Sequence, residues 1–428
     1  MTVNSLMQAI ADIGADPIRG GYSRPVYSDA DLTLREWFIS EAQTRGLDVE
    51  TDHNGIIWAW WDRQASAGES VEATRRNSVV TGSHLDSVPG GGAFDGPLGV
   101  ASALAALDEL KAREQSGALK RRRCLAITVF PEEEGSRFGV ACLGSRLMTG
   151  AITREKALNL RDSEGLSFGE VAADHGLTPD LIGEDPARLS TIGAFVELHV
   201  EQGRGINTPE YTAADGKQPA VAVGNTILGH GRWRLSVTGQ GNHAGTTLMD
   251  DRADPMVAAA EITLATRNTA REHPGARATV GRLQPIPGGT NVIASRVDLW
   301  LDVRHPQDEV TATVVEKIYS RAKDCALAHG CQVEMVEESY SGTVHFSPEL
   351  SSQLEAAVRR TVPDAPILPT GAGHDAGVLA AHVPSGMIYV RNPTGISHAP
   401  EESVENDDAD QGVQALADAL SGLLEAER

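Results

Sequence analysis

The sequence predicts an α/β sheet domain interrupted by a smaller inserted domain, on two observations. Apolar runs of strand length end in polar residues and alternate with stretches of helical spacing, first over residues 77–130 and again after about residue 336. Between about 216 and 335 the pattern changes. The strands there alternate apolar and polar residues, and the order β-α-β-β-α-β is that of a ferredoxin-like unit.

Taken in order, NSVVTGSHLDS leads from an apolar strand into polar residues, and GVASALAALDEL follows with helical spacing. LAITVF (125–130) is a continuous apolar run, as a buried parallel strand should be, and it ends in PEEEG. GAFVELHV (193–200) is a third such strand, with His199 near its end. Residues 155–190 show no pattern that assigns an element. GRWRLSVTGQ (231–240) alternates like a half-exposed antiparallel strand, and a helix is expected over about 254–272. Strands follow in ARATVGRL and NVIASRVDLWLDVRH, then a helix over about 308–329 and a strand over 331–337. A helix (348–361), the strand SGMIYV and a final helix (407–426) resume the first pattern. The expected domains are therefore 1–215 with 336–428, and 216–335 inserted.

The bulk properties exclude several classes. At 428 residues the chain is too long for one ordinary core. A net charge of -22 argues against nucleic acid or an anionic membrane as partner, though one local Arg can still hold an anionic substrate. No apolar run approaches the roughly 18 residues of a membrane span. The N-terminus lacks a basic start followed by an apolar core, so it reads as mature protein. The four cysteines form no CxxC, which suits structural thiols in a reducing cytoplasm.

Four segments carry chemistry. In TGSHLDSVPGGGAFDG, His84 and Asp86 sit two apart, so on a strand they would share a face, and near a strand end they could instead form a ligand and its orienting carboxylate. Asp95 follows in a loop whose glycines let the backbone fold closely around a small ion. Alone, this segment fits a solvated turn equally well. In PEEEGSRFG, adjacent glutamates at a strand end repel one another unless cations offset them. Glu133 and Glu134 suit a general base beside a ligand, although a solvated acidic loop is the commoner meaning of such a run. His199 in ELHVEQG and His398 in GISHAPEE are each, by themselves, more often ordinary core or loop histidines. Together His84, Asp95, Glu134, His199 and His398 all fall at or just after strand ends, and two zinc-like ions sharing one carboxylate need about five such ligands.

These clusters resemble the amidase branch of the dinuclear aminoacylase and carboxypeptidase superfamily, which includes allantoate amidohydrolase, N-carbamoyl-L-amino acid hydrolase and ureidoglycolate amidohydrolase. The likeness spans GSHLDSV, GGAFDG, EEEGSRFG, ELHVEQG, GNHAGTT, RADP, GGTNVI, LDVR, GAGHDA and GISHAPEE. It is poorest over the first forty or so residues and over 111–123. The resemblance implies a discontinuous dinuclear-metallopeptidase-like catalytic domain with an inserted lid and dimerisation domain. It also implies that Asp95 bridges two metals, that His84 and His199 complete one site, and that Glu134 and His398 complete the other. Glu133 would be the general base and Asp86 would orient His84. His243 of GNHAGTT would polarise the scissile carbonyl, often from the partner subunit, and Asn291 and Arg304 would grip the substrate carboxylate with Gln202 nearby. Without the resemblance, His243 and Arg304 would be read as a turn residue and an exposed strand residue.

The chain departs from the commonest pattern at Leu248, where proline is usual, and in the Arg-Asn-Pro-Thr stretch (391–394) before GISH. The stretch resembles the allantoate amidohydrolase side of the branch. The expected activity is hydrolysis of allantoate to ureidoglycine, ammonia and carbon dioxide. An N-carbamoyl-L-amino acid or ureidoglycolate substrate is the alternative, and a non-catalytic relative is the remote one. Zinc or manganese, with cobalt or nickel as further options, fits the donor set. A cytoplasmic homodimer is expected, with no nucleic acid or membrane partner.

Overall fold

The computed structural model describes residues 1–66, 68–214 and 216–427. The chain divides into two compact units, Met1–Asn225 with His345–Arg428, and Thr226–Val344.

The first unit is built on one large mixed sheet. Its first six strands are β1 (Asp48–Thr51), β2 (Ile57–Trp61), β3 (Ser78–His84), β4 (Leu125–Phe130), β5 (Ile192–Val200) and β6 (Val221–Ile227). β3 pairs in parallel with both β4 and β5. β2 runs antiparallel to β4, and β1 antiparallel to β2. β3 and β4 are buried along their whole length, as expected of strands covered on both faces. Alternate residues of β4 and β5, including Ile127, Val129, Val196 and Leu198, enter a core formed with the helices Pro97–Gln115 and Asn406–Glu425. Phe195, Glu197 and His199 have the opposite parity on β5, so they face away from that core.

The second unit holds β7 (Gly229–Thr238), β8 (Asn242–His243), β9 (Arg277–Ile286), β10 (Val292–Ile293), β11 (Arg296–His305) and β12 (Gln332–Ser341). Four of them form an antiparallel sheet in the order β12-β7-β11-β9. The helices Pro255–Arg271 and Asp308–Ala328 contribute Ile262, Val314 and Ile318 to a core with Trp233, Leu235, Leu299 and Leu301. Along the chain the major elements run β-α-β-β-α-β. The alternate positions of β7 and β11 carry Arg232, Arg234, Trp300, Asp302 and Arg304 on the other face.

Three strands complete the large sheet: β13 (Val344–His345), β14 (Ile367–Thr370) and β15 (Ser385–Val390). β15 pairs in parallel with β5 and antiparallel with β6. The chain leaves the large unit after Asn225 and re-enters it at His345, and the Phe346 N–H donates to the Asn225 carbonyl at 3.1 Å.

The sequence placed some features elsewhere. The inserted unit begins at Thr226 and ends at Val344, not at 216 and 335, because β6 belongs to the large sheet and β12 runs on to Ser341. Asp215, one of the expected bounds, lies outside the described residues. NVIASRVDLWLDVRH is two strands and not one, broken where Ser295 folds its N–H and hydroxyl onto the Ile286 carbonyl. Residues 155–190 hold three short helices, Arg154–Leu158, Phe168–Asp174 and Pro186–Leu189. The first two add Ala157, Phe168 and Val171 to a small core with Val26, Leu143 and Leu147. Segments of four to seven residues are too short to show a helical period. The four cysteines are all free. Among the described residues, no helix is long and apolar enough to cross a membrane.

Candidate metal centre

The parallel strands deliver two histidines to one end of the large sheet, where ligands bind in open α/β sheets. His84 closes β3, and His199 lies next to last on β5. Both rings are buried. Each faces a backbone carbonyl with Nδ1: His84 that of Asp86 at 3.0 Å, and His199 that of Val200 at 2.9 Å. Those contacts make Nδ1 the protonated nitrogen and leave Nε2 as a lone pair. Neither Nε2 has a hydrogen-bond partner. Both point at the same atom, Asp95 Oδ1, at 3.5 Å from His84 and 3.3 Å from His199. Lone pairs facing a carboxylate oxygen inside a protein call for a cation among them.

The glycines around Asp95 have specific work. A Cβ on Gly96, which has φ +87°, would lie 2.5 Å from the His84 ring. One on Gly92 would lie 2.2 Å from a carboxylate oxygen of Glu402. Pro97 then starts the following helix at its first position.

The second oxygen of Asp95 looks the other way. Asp95 Oδ2 is 3.5 Å from His398 Nε2, which is 3.4 Å from Glu134 Oε2. Gln202 donates its amide N–H to Asp95 Oδ2 at 2.8 Å and comes within 3.3 Å of His398 Nε2. Two donor groups therefore share Asp95: His84, Asp95 and His199 on one side, and Asp95, Glu134 and His398 on the other. His398 is half-exposed, and its backbone has a left-handed φ of +57°.

Glu133 is buried between these groups, 3.7 Å from His84 Nε2, and the Cys142 thiol points to its carboxylate at 3.5 Å. Burial, and then the charges of Asp375 and Glu134 acting against that of His84, hold the Glu133 carboxyl well above the usual carboxylate range. Burial and the negative charge of Asp95 do the same to Glu134. Asp95 goes the other way. Burial alone would raise it, but the His199 and His84 imidazoles facing it hold it well below its ordinary value. Asp86 faces His84 Nδ1 in two ways, with its main-chain carbonyl at 3.0 Å and its carboxylate at 3.7 Å. Its main-chain carbonyl is the closer partner of His84, while its carboxylate takes the backbone N–H groups of Glu133 and Glu134 at 3.2 and 3.1 Å. It holds Glu133 and Glu134 in place through the backbone.

The centre includes residues to which the sequence assigned no role. His374 of GAGHDA is buried, with its ring centroid 4.5 Å from that of His199 and its Nδ1 without a partner. Glu197, two residues before His199 on the same strand face, accepts from Ser83 and from the Ala376 N–H. Glu402 of APEE reaches back to the Asp95 loop. The available signal was their place inside the quoted motifs, but nothing in the spacing said which side chain turns inward. So many buried carboxylates without enough protein cations agree with a site built for added positive charge.

His243, Asn291 and Arg304 lie in the second unit. His243 and Asn291 are both exposed and meet on the β8–β10 ribbon, where the Ala244 N–H donates to the Asn291 carbonyl at 3.0 Å. The ribbon leaves the sheet beside Thr238 and Arg296, which pair in register. Arg304 is near the other end of β11, about 27 Å away at the usual rise of about 3.4 Å per residue. There it pairs with Asp302 through two nitrogens at 2.8 and 3.0 Å. Within one chain, therefore, Arg304 lies at the opposite end of β11 from the point where the ribbon carrying Asn291 leaves the sheet.

The model of peptidase family M20/M25/M40 matches residues 80–422. The N-carbamoyl-L-amino acid amidohydrolase of Geobacillus stearothermophilus is 33% identical over 421 residues, covering 98% of each chain. The allantoate amidohydrolase of Bacillus subtilis is 31% identical over 432 residues, covering 99% of this chain and 97% of its own. The crystal structure of an amidase of the hydantoinase/carbamoylase family from Burkholderia vietnamiensis superposes with a TM-score of 0.83 at 28% identity, covering 99% of this chain and 96% of its own.

Proposed function

Because the chain belongs to peptidase family M20/M25/M40, a metallohydrolase family, we propose that it hydrolyses the ureido carbon–nitrogen bond of a small carboxylate, with allantoate as the first substrate to test. The observation that carries this reading is the aim of three histidines at one buried carboxylate. His84 and His199 face one oxygen of Asp95 and His398 the other. His84, Asp95 and His199 would hold one divalent cation, and Asp95, Glu134 and His398 a second. Cations held there polarise a substrate carbonyl and make water a usable nucleophile near neutral pH.

The chain's own groups do the rest. The raised Glu133 carboxyl is suited to take a proton from the attacking water and return it to the departing nitrogen. Gln202 donates an N–H to Asp95 and lies beside His398. In the inserted ferredoxin-like unit, His243 offers an imidazole to the carbonyl oxygen, and Arg304 offers a planar fork for a carboxylate. A small substrate cannot touch both across about 27 Å of one strand. We therefore assign His243 and Asn291 to one chain and Arg304 to another, in a homodimer whose inserted units also act as lids.

The Arg-Asn-Pro-Thr stretch, which resembles the allantoate amidohydrolases, is the reason for placing allantoate first, and Asn392 is its buried member. Its buried side chain accepts from Thr394 and Gly395 and donates to the Ile396 carbonyl, so the Arg-Asn-Pro-Thr stretch shapes the loop that carries His398. An N-carbamoyl-L-amino acid substrate is the second reading, favoured by the name of the Geobacillus relative. A substrate panel on protein reconstituted with zinc or with manganese decides between them. Rapid turnover of N-carbamoyl methionine with none of allantoate would end the first reading. A fully active monomer in sedimentation would end the two-chain assignment.

A further inference from the structure

We propose that Glu402 is a positioning residue that ties the loop of Asp95 to the loop of His398 and so sets the geometry of the cation site on the Glu134–His398 side. The proposal rests on the two-cation reading above. Glu402 is 5% exposed, and the hydrogen bonds of its carboxylate go to these two loops. Oε1 accepts the backbone N–H of Phe94 at 2.9 Å and of Asp95 at 3.0 Å. Oε2 accepts the Ser397 hydroxyl at 3.1 Å, and the same hydroxyl lies 3.2 Å from Asp95 Oδ2. One carboxylate thus braces the Asp95 loop and, through Ser397, the Asp95 oxygen that faces His398, together with the neighbour of the most exposed ligand.

Two further observations point the same way. The His398 loop belongs to no helix or strand, and His398 itself holds a left-handed backbone that a non-glycine residue rarely adopts unaided. Something must hold it there, and Ser397 provides the link to Glu402. On the other loop, a Cβ at Gly92 would overlap Glu402 at its Oε1, Cδ and Cβ atoms, at 2.2, 2.3 and 2.6 Å. The glycine is therefore the cradle that admits this side chain. His84 and His199 make no such use of Glu402, since each is held by its own strand and carbonyl.

The test is zinc titrated into the apoprotein against a chromogenic chelator, for wild type, E402A, E402Q and G92A, with H398A as reference for the loop-side ion. E402A should weaken one of two ions by about 10- to 100-fold, the range seen when the support of a ligand is removed, and leave the other within about 3-fold. G92A should do the same while keeping the carboxylate in the chain, so the result does not depend on whether E402A folds. E402Q should recover most of the loss, because its oxygen still accepts the two N–H groups and its amide still meets Ser397. In E402A/H398A the effects should not add, since both act on one ion. Equal weakening of both ions, or unchanged binding with only a lower thermal midpoint of the apoprotein, would overturn the proposal. Fewer than two zinc ions on the wild-type protein would instead overturn the two-cation reading on which it rests.

Discussion

The two halves of the centre stand on different supports. His84 and His199 sit on neighbouring parallel strands, buried, each ring anchored to a carbonyl one or two residues ahead. Glu134 and His398 sit on loops, and the His398 side chain is 49% exposed. A strand in mid-sheet places a ligand through many bonds at once, whereas a loop does so through a few local contacts that can open. The strand half is therefore expected to hold its cation tightly, and the loop half to exchange its cation more readily.

Asp95 is the residue common to both halves, and its replacement has the largest expected effect. Asp95→Ala should leave neither ion bound, and activity should fall with them. Two ions still present by metal analysis would remove Asp95 from the shared position. Next comes Glu133→Gln, expected to cost about 10²- to 10⁴-fold in kcat with both ions retained. Loss of an ion in that variant would make Glu133 a ligand and blur its distinction from Glu134. His199→Ala and His398→Ala then test the comparison directly. The first should weaken the ion that resists chelator in wild type, and the second the one that leaves first. The same ion lost in both variants would mean that the halves are not independent.

The smallest effect concerns pH. Glu132 lies beside the loop half and accepts the N–H groups of Arg137 and Phe138. Burial, and then the charge of Asp86, push its carboxyl up to about 8 from 4.5. A raised pKa contributes stability that is complete below the ordinary value and lost as pH rises through the folded one. Apoprotein stability should thus decline between about pH 4.5 and about pH 8, and Glu132→Gln should flatten that decline. Urea midpoints at both ends of the window decide it, and parallel slopes in variant and wild type would contradict the assignment.

The strand half was also the half most legible in the sequence. His84 and His199 stand at the ends of long apolar runs, so burial and direction could be read from composition. Glu134 and His398 gained meaning only as members of a set, because a loop residue carries no periodicity to say where it points. Glu402 and His374 could not be assigned at all, since their roles depend on contacts across 307 or more residues for Glu402 and on a ring packed against β5 for His374. In the second unit the alternating strands announced themselves. The distance between Asn291 and Arg304 did not, because it follows from the break at Ser295 and not from any residue type.

The hydrogen bond between Phe346 and Asn225 has a consequence for how such a molecule changes over generations. The chain departs and returns at adjacent points of the large sheet, so to that sheet an entire domain occupies the place of a hairpin turn. A graft at such a point can be lost, enlarged or exchanged without redrawing the strands that carry His84 and His199. The centre can then persist while the inserted unit varies, and kinship in this family is better sought in the sheet than in the graft.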